Sequence, residues 1–266
     1  MNADIREIAA TFDARSASYA RNGWHRRCAE RLVELCQLRP GAQVLDAGAG
    51  TGFAALAAAR AVGGDGQVHG VDISPGMLRE ARAALAQSGL ANVNLVEADA
   101  VRLPQYGSET FDAVTCAAGL LYMPVADALR EWHRLLKRGG LVAFSTMRAG
   151  SPPGGRIFRD CAAAFGISVR DPSEPLGSVS ACRQALEGAG FEVVDIVDET
   201  VDFSDQDLAL AWESNFRSVA HSEVRRLSDR KQQVLKDRYL DALAREASEN
   251  PGALDRADIL YALGRR

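Results

Sequence analysis

The sequence predicts an α/β fold: a doubly wound, seven-stranded sheet with an N-terminal helical lid and a helical cap inserted before the last strand. Three observations carry this. From Val44 to about Val201, short apolar runs alternate with longer segments of helical periodicity, the pattern that βαβ crossovers leave when they build a parallel sheet. Alternating glycines follow the first apolar run, where a strand must turn sharply into a helix. A long, charged helical stretch then separates the last two strand-like runs.

In chain order, residues 1–40 read as one or two helices forming a lid that ends at Pro40-Gly41, with Cys28, Leu32, Leu35 and Cys36 at helical spacing. The core spans 41–202. Its strands are Gln43–Ala47, Gln67–Val71, Val93–Glu97, Phe111–Cys116, Leu141–Thr146 and Phe191–Val197, each edged by Gly, Pro, Asp or Asn. Helices are expected over Gly52–Ala61, over Pro75–Gln87 with Pro in its first turn, and over Val125–Leu136, which stops before Arg138-Gly139-Gly140. Ser151-Pro152-Pro153-Gly154-Gly155 and Asp171-Pro172-Ser173-Glu174-Pro175 read as irregular connections. The cap, 203–253, is helical from Ser204 to Asn250, with Leu208, Trp212, Phe216 and Val219 recurring at helical spacing. Residues 254–266 hold the last strand, Asp258–Leu263.

Composition excludes several function classes. With 31 Lys and Arg against 35 Asp and Glu, the net charge of -4 gives no positive field to hold nucleic acid or an anionic membrane. The five cysteines are odd in number and lack any Cys-x-x-Cys spacing, so no disulfide framework or structural metal is expected and a reducing, cytoplasmic compartment is the natural setting. Charges interleave through the first fifteen residues, and the longest apolar stretch, Ala47–Ala59, is broken by three glycines and falls short of the roughly 20 residues a bilayer requires. No membrane insertion is expected.

The chemistry concentrates in Val44-Leu45-Asp46-Ala47-Gly48-Ala49-Gly50-Thr51-Gly52, a loop that lets a nucleotide-like ligand approach the backbone. Gly50, Gly52 and Ala55 also satisfy a dinucleotide fingerprint, and Asp72, placed to accept ribose hydroxyl protons, fits either cofactor. Asp99, just beyond the third strand, adds an acceptor for the exocyclic amine of adenine, which a dinucleotide site does not call for.

With Phe111-Asp112-Ala113-Val114 and Leu136-Lys137-Arg138-Gly139-Gly140-Leu141 in correct order behind these motifs, the stretch from Phe12 to Phe191 resembles the class I S-adenosylmethionine-dependent methyltransferases. The similarity is to the ubiquinone and menaquinone biosynthesis C-methyltransferase type (methyltransferase type 11), a Rossmann-like family. The resemblance implies that Gly48, Gly50 and Thr51 line the methionine part of S-adenosylmethionine, with Asp46 ordering the loop. It further implies Asp72 on the ribose, Ile73 and Met77 flanking adenine, Asp99 and Ala100 on the adenine edge, Ala117 along the methionyl tail and Tyr19 closing over the cofactor. Lys137-Arg138 replaces the family's common Lys-Pro, and Leu121-Tyr122 replaces the paired histidines often found after strand four.

The expected reaction is methyl transfer to a small phenolic, quinonoid or other natural-product-like C, O or N atom, by in-line displacement that asks for alignment and exclusion of water. Candidate general bases are His25 and His221, which fall in covering segments; Tyr122 is a candidate for substrate contact or catalysis and Trp212 for the substrate wall. His69 and His133 read as scaffold, Cys116 as inert, and the Arg225-Arg226 and Arg230-Lys231 pairs as a solvated helix face. The alternatives are an NAD-dependent oxidoreductase, or an S-adenosylmethionine-binding protein catalysing a non-methylating rearrangement.

Overall fold

A computed structural model describes residues 3–19, 21 and 23–266, so Ala20 and Asn22 of the segment following Tyr19 lie outside the described residues. The strands β1 (Gln43–Ala47), β2 (Gln67–Asp72), β3 (Val93–Glu97), β4 (Phe111–Ala117), β5 (Leu136–Met147), β6 (Glu192–Asp202) and β7 (Arg256–Arg265) form one sheet in the order β3-β2-β1-β4-β5-β7-β6. The pairs from β3 through β5 are parallel, and β7 runs antiparallel to both β5 and β6. The chain winds outward from β1 to β3 and then returns to β4. The crevice beyond the carboxyl ends of β1 and β4 is therefore the switch point at which such sheets take ligands.

Right-handed crossovers require helices on both faces, and each face buries its own apolar cluster. On one side α5 (Val125–Leu135) presents Ala128, Leu129, Trp132 and Leu135 at helical spacing, all fully buried against Phe111, Val114 and Phe144. The Trp132 indole N–H donates to the Ala100 carbonyl at 2.9 Å. Truncation of so large a buried ring costs about 3–5 kcal/mol. On the other side α2 (Gly23–Cys36) and α3 (Phe53–Val62) bury Cys28, Leu32, Cys36, Ala55 and Val62 against Val44, Val68 and Tyr261. Leu35 of the expected stripe is only half-buried.

The lid helix α1 (Ala3–Tyr19) lies against α4 (Pro75–Ser88), while α7 (Val179–Gly188) packs beside β6. The cap is segmented rather than continuous: α8 (Asp205–Ala209), α9 (Ala211–Phe216), a 3₁₀ segment (Val219–Arg226) and α10 (Asp229–Glu249). No described helix is long and apolar enough to cross a membrane.

Two local expectations are corrected. Leu136, expected to end a helix before a Lys137–Gly140 loop, instead opens β5. Its side chain is fully buried and it pairs with Phe111, after which the register slips before Ala113 meets Leu141, a bulge that Gly139 permits at φ 74°. Pro153, Gly154 and Gly155, expected in an irregular connection, open helix α6 (Pro153–Ala163). Proline is at home in a first turn, where no N–H is needed, and Gly154 is small enough to approach α10, where a Cβ would meet Tyr239 Oη at 3.1 Å. Helix α6 thereby joins α10 in a third apolar cluster, built from Phe158, Cys161, Leu235 and Tyr239.

Candidate active site

The glycine loop is shaped by its backbone. Gly48, Gly50 and Gly52 adopt φ of 75°, 54° and 89°, and the N–H groups of Gly48 and Ala49 both donate to Val71 O, at 2.8 and 2.9 Å. Gly70 on β2 is equally constrained, since a Cβ there would lie 2.7 Å from Leu95 Cδ2 and 3.1 Å from Ala49 Cβ. Asp72, at the end of β2, accepts from Gly50 N at 2.8 Å and from Ser74 N at 2.9 Å, one bond to each carboxylate oxygen. The Ile73 N–H also favours this carboxylate, whose oxygens can each accept more than one hydrogen bond.

Above this loop lies a cavity of about 100 Å³ whose lining includes Tyr19, Gly48, Gly50, Asp72, Ile73, Met77, Asp99, Ala100, Ala117 and Tyr122. A smaller chamber of about 50 Å³ continues past Tyr19, Gly48, Gly50 and Ala117 to Asp46 and Thr51. All eleven residues that the sequence assigns to the cofactor line one or other of these two cavities, which share Tyr19, Gly48, Gly50 and Ala117. Among the described residues, two polar atoms that line the smaller one have no hydrogen-bond partner, Asp46 Oδ2 and Thr51 Oγ1. Asp46 Oδ1 accepts from Thr115 Oγ1 at 3.0 Å, yet burial, helped by the charge of Asp72, pushes the Asp46 carboxyl up to about 7. Burial also raises Asp72, against the N–H groups of Ser74 and Gly50. A cationic ligand bearing hydroxyls and an ammonium group could satisfy these buried acids.

A third cavity, about 420 Å³, opens on the cap side and shares Tyr122 with the first and Trp24, His25 and Met147 with the second. The partition is aromatic: His25 stacks on Trp24 at 3.9 Å and lies 4.4 Å from Tyr19, while Phe12 meets Tyr122 edge-on at 5.2 Å. Burial, reinforced by the charge of Arg15, depresses His25 to about 3, and its Nδ1 has no partner among the described residues. His221 borders the large cavity, stacked 4.7 Å from Phe158. Its Nδ1 donates to the Asn215 carbonyl at 2.6 Å, which leaves Nε2 as an unpaired acceptor, and burial lowers the ring to about 4.

Trp212 is a correction. It does not line the cavity but packs within the cap, stacked on Phe216 at 5.1 Å and tilted against Phe158 and Tyr239 as part of that apolar cluster. Arg225, expected on a solvated face, is half-buried and donates to the Phe216 and Ser218 carbonyls at 3.0 and 2.8 Å. Phe12, Arg15, Trp24, Met147, Phe203 and Asn215 were not singled out from sequence. Phe12, Arg15 and Tyr19 could have been, since they recur at helical spacing on one face of α1.

A methyltransferase-domain family model matches residues 44–140. The chain is 36% identical over 153 residues to aklanonic acid methyltransferase DauC of Streptomyces sp. strain C5, covering 56% of this chain and 69% of that protein. The chain belongs to the class I S-adenosylmethionine-dependent methyltransferases. Within them it is of the UbiE-like type: it is 39% identical over 138 residues to the ubiquinone/menaquinone biosynthesis C-methyltransferase of Teredinibacter turnerae, a match that spans 51% of this chain and about half, 55%, of that protein. This methyltransferase also shares its fold with the YcgJ protein of Bacillus subtilis at TM-score 0.59 and 20% identity, over 90% of this chain and 98% of that one. S-adenosylmethionine is the cofactor, and the NAD-dependent alternative falls away. The buried acids with spare acceptor positions suit a cationic, zwitterionic nucleoside.

Proposed function

We propose that this methyltransferase acts on a small phenolic or quinonoid acceptor held in the 420 Å³ cavity, with the cofactor in the chamber over the glycine loop. The observation that carries this reading is the shared wall: Tyr122, His25 and Met147 border both the cofactor side and the large cavity, so a methyl group and an acceptor atom can meet there. Relatives named for aklanonic acid and for ubiquinone and menaquinone biosynthesis support the acceptor class.

When bound, the sulfonium supplies an activated methyl with its leaving group built in. The chain's own residues do the rest. Asp72 takes the ribose hydroxyls, Asp99 the adenine amine, and Asp46 with Thr51 the ammonium end, while Ile73, Met77 and Ala100 frame the base and Gly48, Gly50 and Ala117 the methionyl part. Tyr19 closes the space from α1. Trp24, Tyr122 and Phe203 give a planar acceptor flat apolar walls and exclude water. His25, at the junction, offers its unpartnered Nδ1 as a hydrogen-bond acceptor that orients the acceptor's hydroxyl, and His221 Nε2 accepts a hydrogen bond from a second acceptor hydroxyl. Both rings are neutral at pH 7, as an acceptor role requires. Five buried, unpaired thiols support a reducing cytoplasm as the setting.

The test is incubation with methyl-labelled S-adenosylmethionine and a panel of phenols and hydroxynaphthoquinones. A labelled product one methylene heavier is expected. Tight binding of S-adenosylhomocysteine with no labelled product across the panel would count against the reading.

A further inference from the structure

We infer that Arg15 is the anchor for a carboxylate on the acceptor, so that the preferred substrate is an aromatic acid rather than a neutral phenol or quinone. The inference rests on the methyl-transfer reading above and narrows its substrate class.

Arg15 is only 7% exposed, yet among the described residues its guanidinium makes no ion pair and no hydrogen bond. Two rings hold it by their faces: its Cζ lies 5.2 Å from the Tyr19 centroid and 5.8 Å from that of Phe12. Ring faces attract a cation but offer no acceptor to its five N–H groups. A guanidinium that faces a cavity with no protein acceptor favours an anion there, and a planar carboxylate is the group whose geometry matches the guanidinium fork.

The surroundings supply no counter-charge. Arg15 lines the large cavity, whose two inner acids are already engaged. Asp171 accepts from Arg159 at 2.8 Å, Gly150 N at 2.8 Å, and Ser173 N and Oγ at 3.0 and 2.6 Å. Asp207 accepts from Arg27 at 3.1 Å, from Ser204 N and Oγ at 3.0 and 2.8 Å, and from Trp24 N at 3.3 Å. Glu213, beside Arg15 in an adjoining cleft, pairs with Arg217 at 2.9 Å, and Asp255 is exposed at the cavity mouth. The positive charge of Arg15 is felt across the partition, where it lowers His25 and opposes the burial-driven rise of Tyr19 and Tyr122. An acid seated on Arg15 therefore places its ring among Trp24, His25 and Tyr122, where the methyl group arrives.

The experiment uses the full chain saturated with S-adenosylhomocysteine and two probe pairs: 1-hydroxy-2-naphthoate against its carboxamide, and anthraquinone-2-carboxylate against its carboxamide. Calorimetry should show at least one carboxylate binding tenfold or more tightly than its amide. Arg15→Gln should bring the pair within twofold while leaving S-adenosylhomocysteine affinity within twofold of the parent. Arg15→Lys, which keeps the charge without the planar fork, should restore part of the preference. If Arg15→Gln does not fold, a preference reduced at least threefold in Arg15→Lys supports the assignment and an unchanged one overturns it. Equal binding of acid and amide in both pairs, or binding of neither, overturns it, as does loss of S-adenosylhomocysteine binding in a folded Arg15 variant, which would move Arg15 to the cofactor. Failure of the parent chain to bind S-adenosylhomocysteine at all strikes the methyl-transfer reading instead.

Discussion

Asp13 on α1 accepts the backbone N–H of Gly76 at 2.6 Å, and the same oxygen takes Ser74 Oγ at 2.6 Å. The acid of the lid thus caps the helix that begins just beyond Asp72, and Gly76 leaves room for it, since a Cβ there would lie 2.7 Å from that oxygen and 3.1 Å from Asp13 Cα. Placement of Phe12 and Tyr19 over the cofactor space depends on this tie. Asp13→Ala should destabilise the chain by about 1–3 kcal/mol, the range for losing bonds to a charged acceptor. Hydrogen exchange should quicken through residues 3–19 and S-adenosylhomocysteine affinity should drop. Unchanged exchange in α1 would show that the lid is held by other contacts.

Asp72→Ala should weaken S-adenosylhomocysteine binding by roughly 1–3 kcal/mol, because the ribose hydroxyls lose a charged acceptor. The variant also frees Gly50 N and Ser74 N, so part of the loss reflects a looser loop. Asp72→Asn, which keeps one carbonyl acceptor, should lose less. A titration showing the parent affinity in both variants would remove Asp72 from the site.

Asp46 ties stability to pH. Its carboxyl is pushed up to about 7, so between about 4, where an ordinary aspartate ionises, and 7 the folded ligand-free state holds a proton that the unfolded chain has released. Stability of the ligand-free protein should therefore fall as pH rises through that window. A bound ammonium favours the ionised acid, so S-adenosylhomocysteine affinity should rise with pH up to about 7 and level off above it, with a proton released on binding below that point. Asp46→Asn should flatten both trends, as calorimetry in buffers of different ionisation enthalpy will report. A pH-independent affinity in the parent chain would contradict this role.

The cap is pinned to α2 through Asp207, whose side chain is 1% exposed while its partner Arg27 is 45% exposed. Burial alone would raise this acid, but hydrogen bonds from Ser204, Arg27 and Trp24 hold it below the ordinary carboxylate range. Its contribution is complete above the unfolded value near 4 and is lost as pH falls through the depressed folded value. Asp207→Asn should cost about 1–3 kcal/mol in urea unfolding at pH 7, less than a fully buried pair because Arg27 is partly hydrated. The difference between parent and variant should shrink towards pH 3. A constant difference across that range would mean that charge is not what pins the cap.

The sheet was legible because its inner strands β1, β4 and β5 are largely buried on both faces and read as short apolar runs, and the cofactor space because Asp46, the glycines and Asp72 lie within one βαβ unit. Leu136 was misread because continuing a helical stripe and opening a buried strand ask for the same apolar residue. Trp212 was misplaced since an amphipathic stripe does not say whether its partner is ligand or protein, and here Phe158 and Tyr239 come from α6 and α10. Arg15 escaped notice for a related reason. Its missing counter-ion is a property of residues far along the chain, Asp171 and Asp207, that are satisfied by other donors.

The apolar cluster joining Phe158 to Tyr239 is drawn from both sides of β6, with α6 preceding that strand and α10 following it. The 420 Å³ cavity, lined from both helices, is consequently a composite that no single contiguous graft can transplant. Swapping residues 203–255 from a relative would bring a foreign α10 onto the native α6 and leave Gly154 facing a mismatched ring. Recombination of substrate scope in this architecture must move both stretches together, which narrows the crossover points open to natural exchange and to the engineer alike.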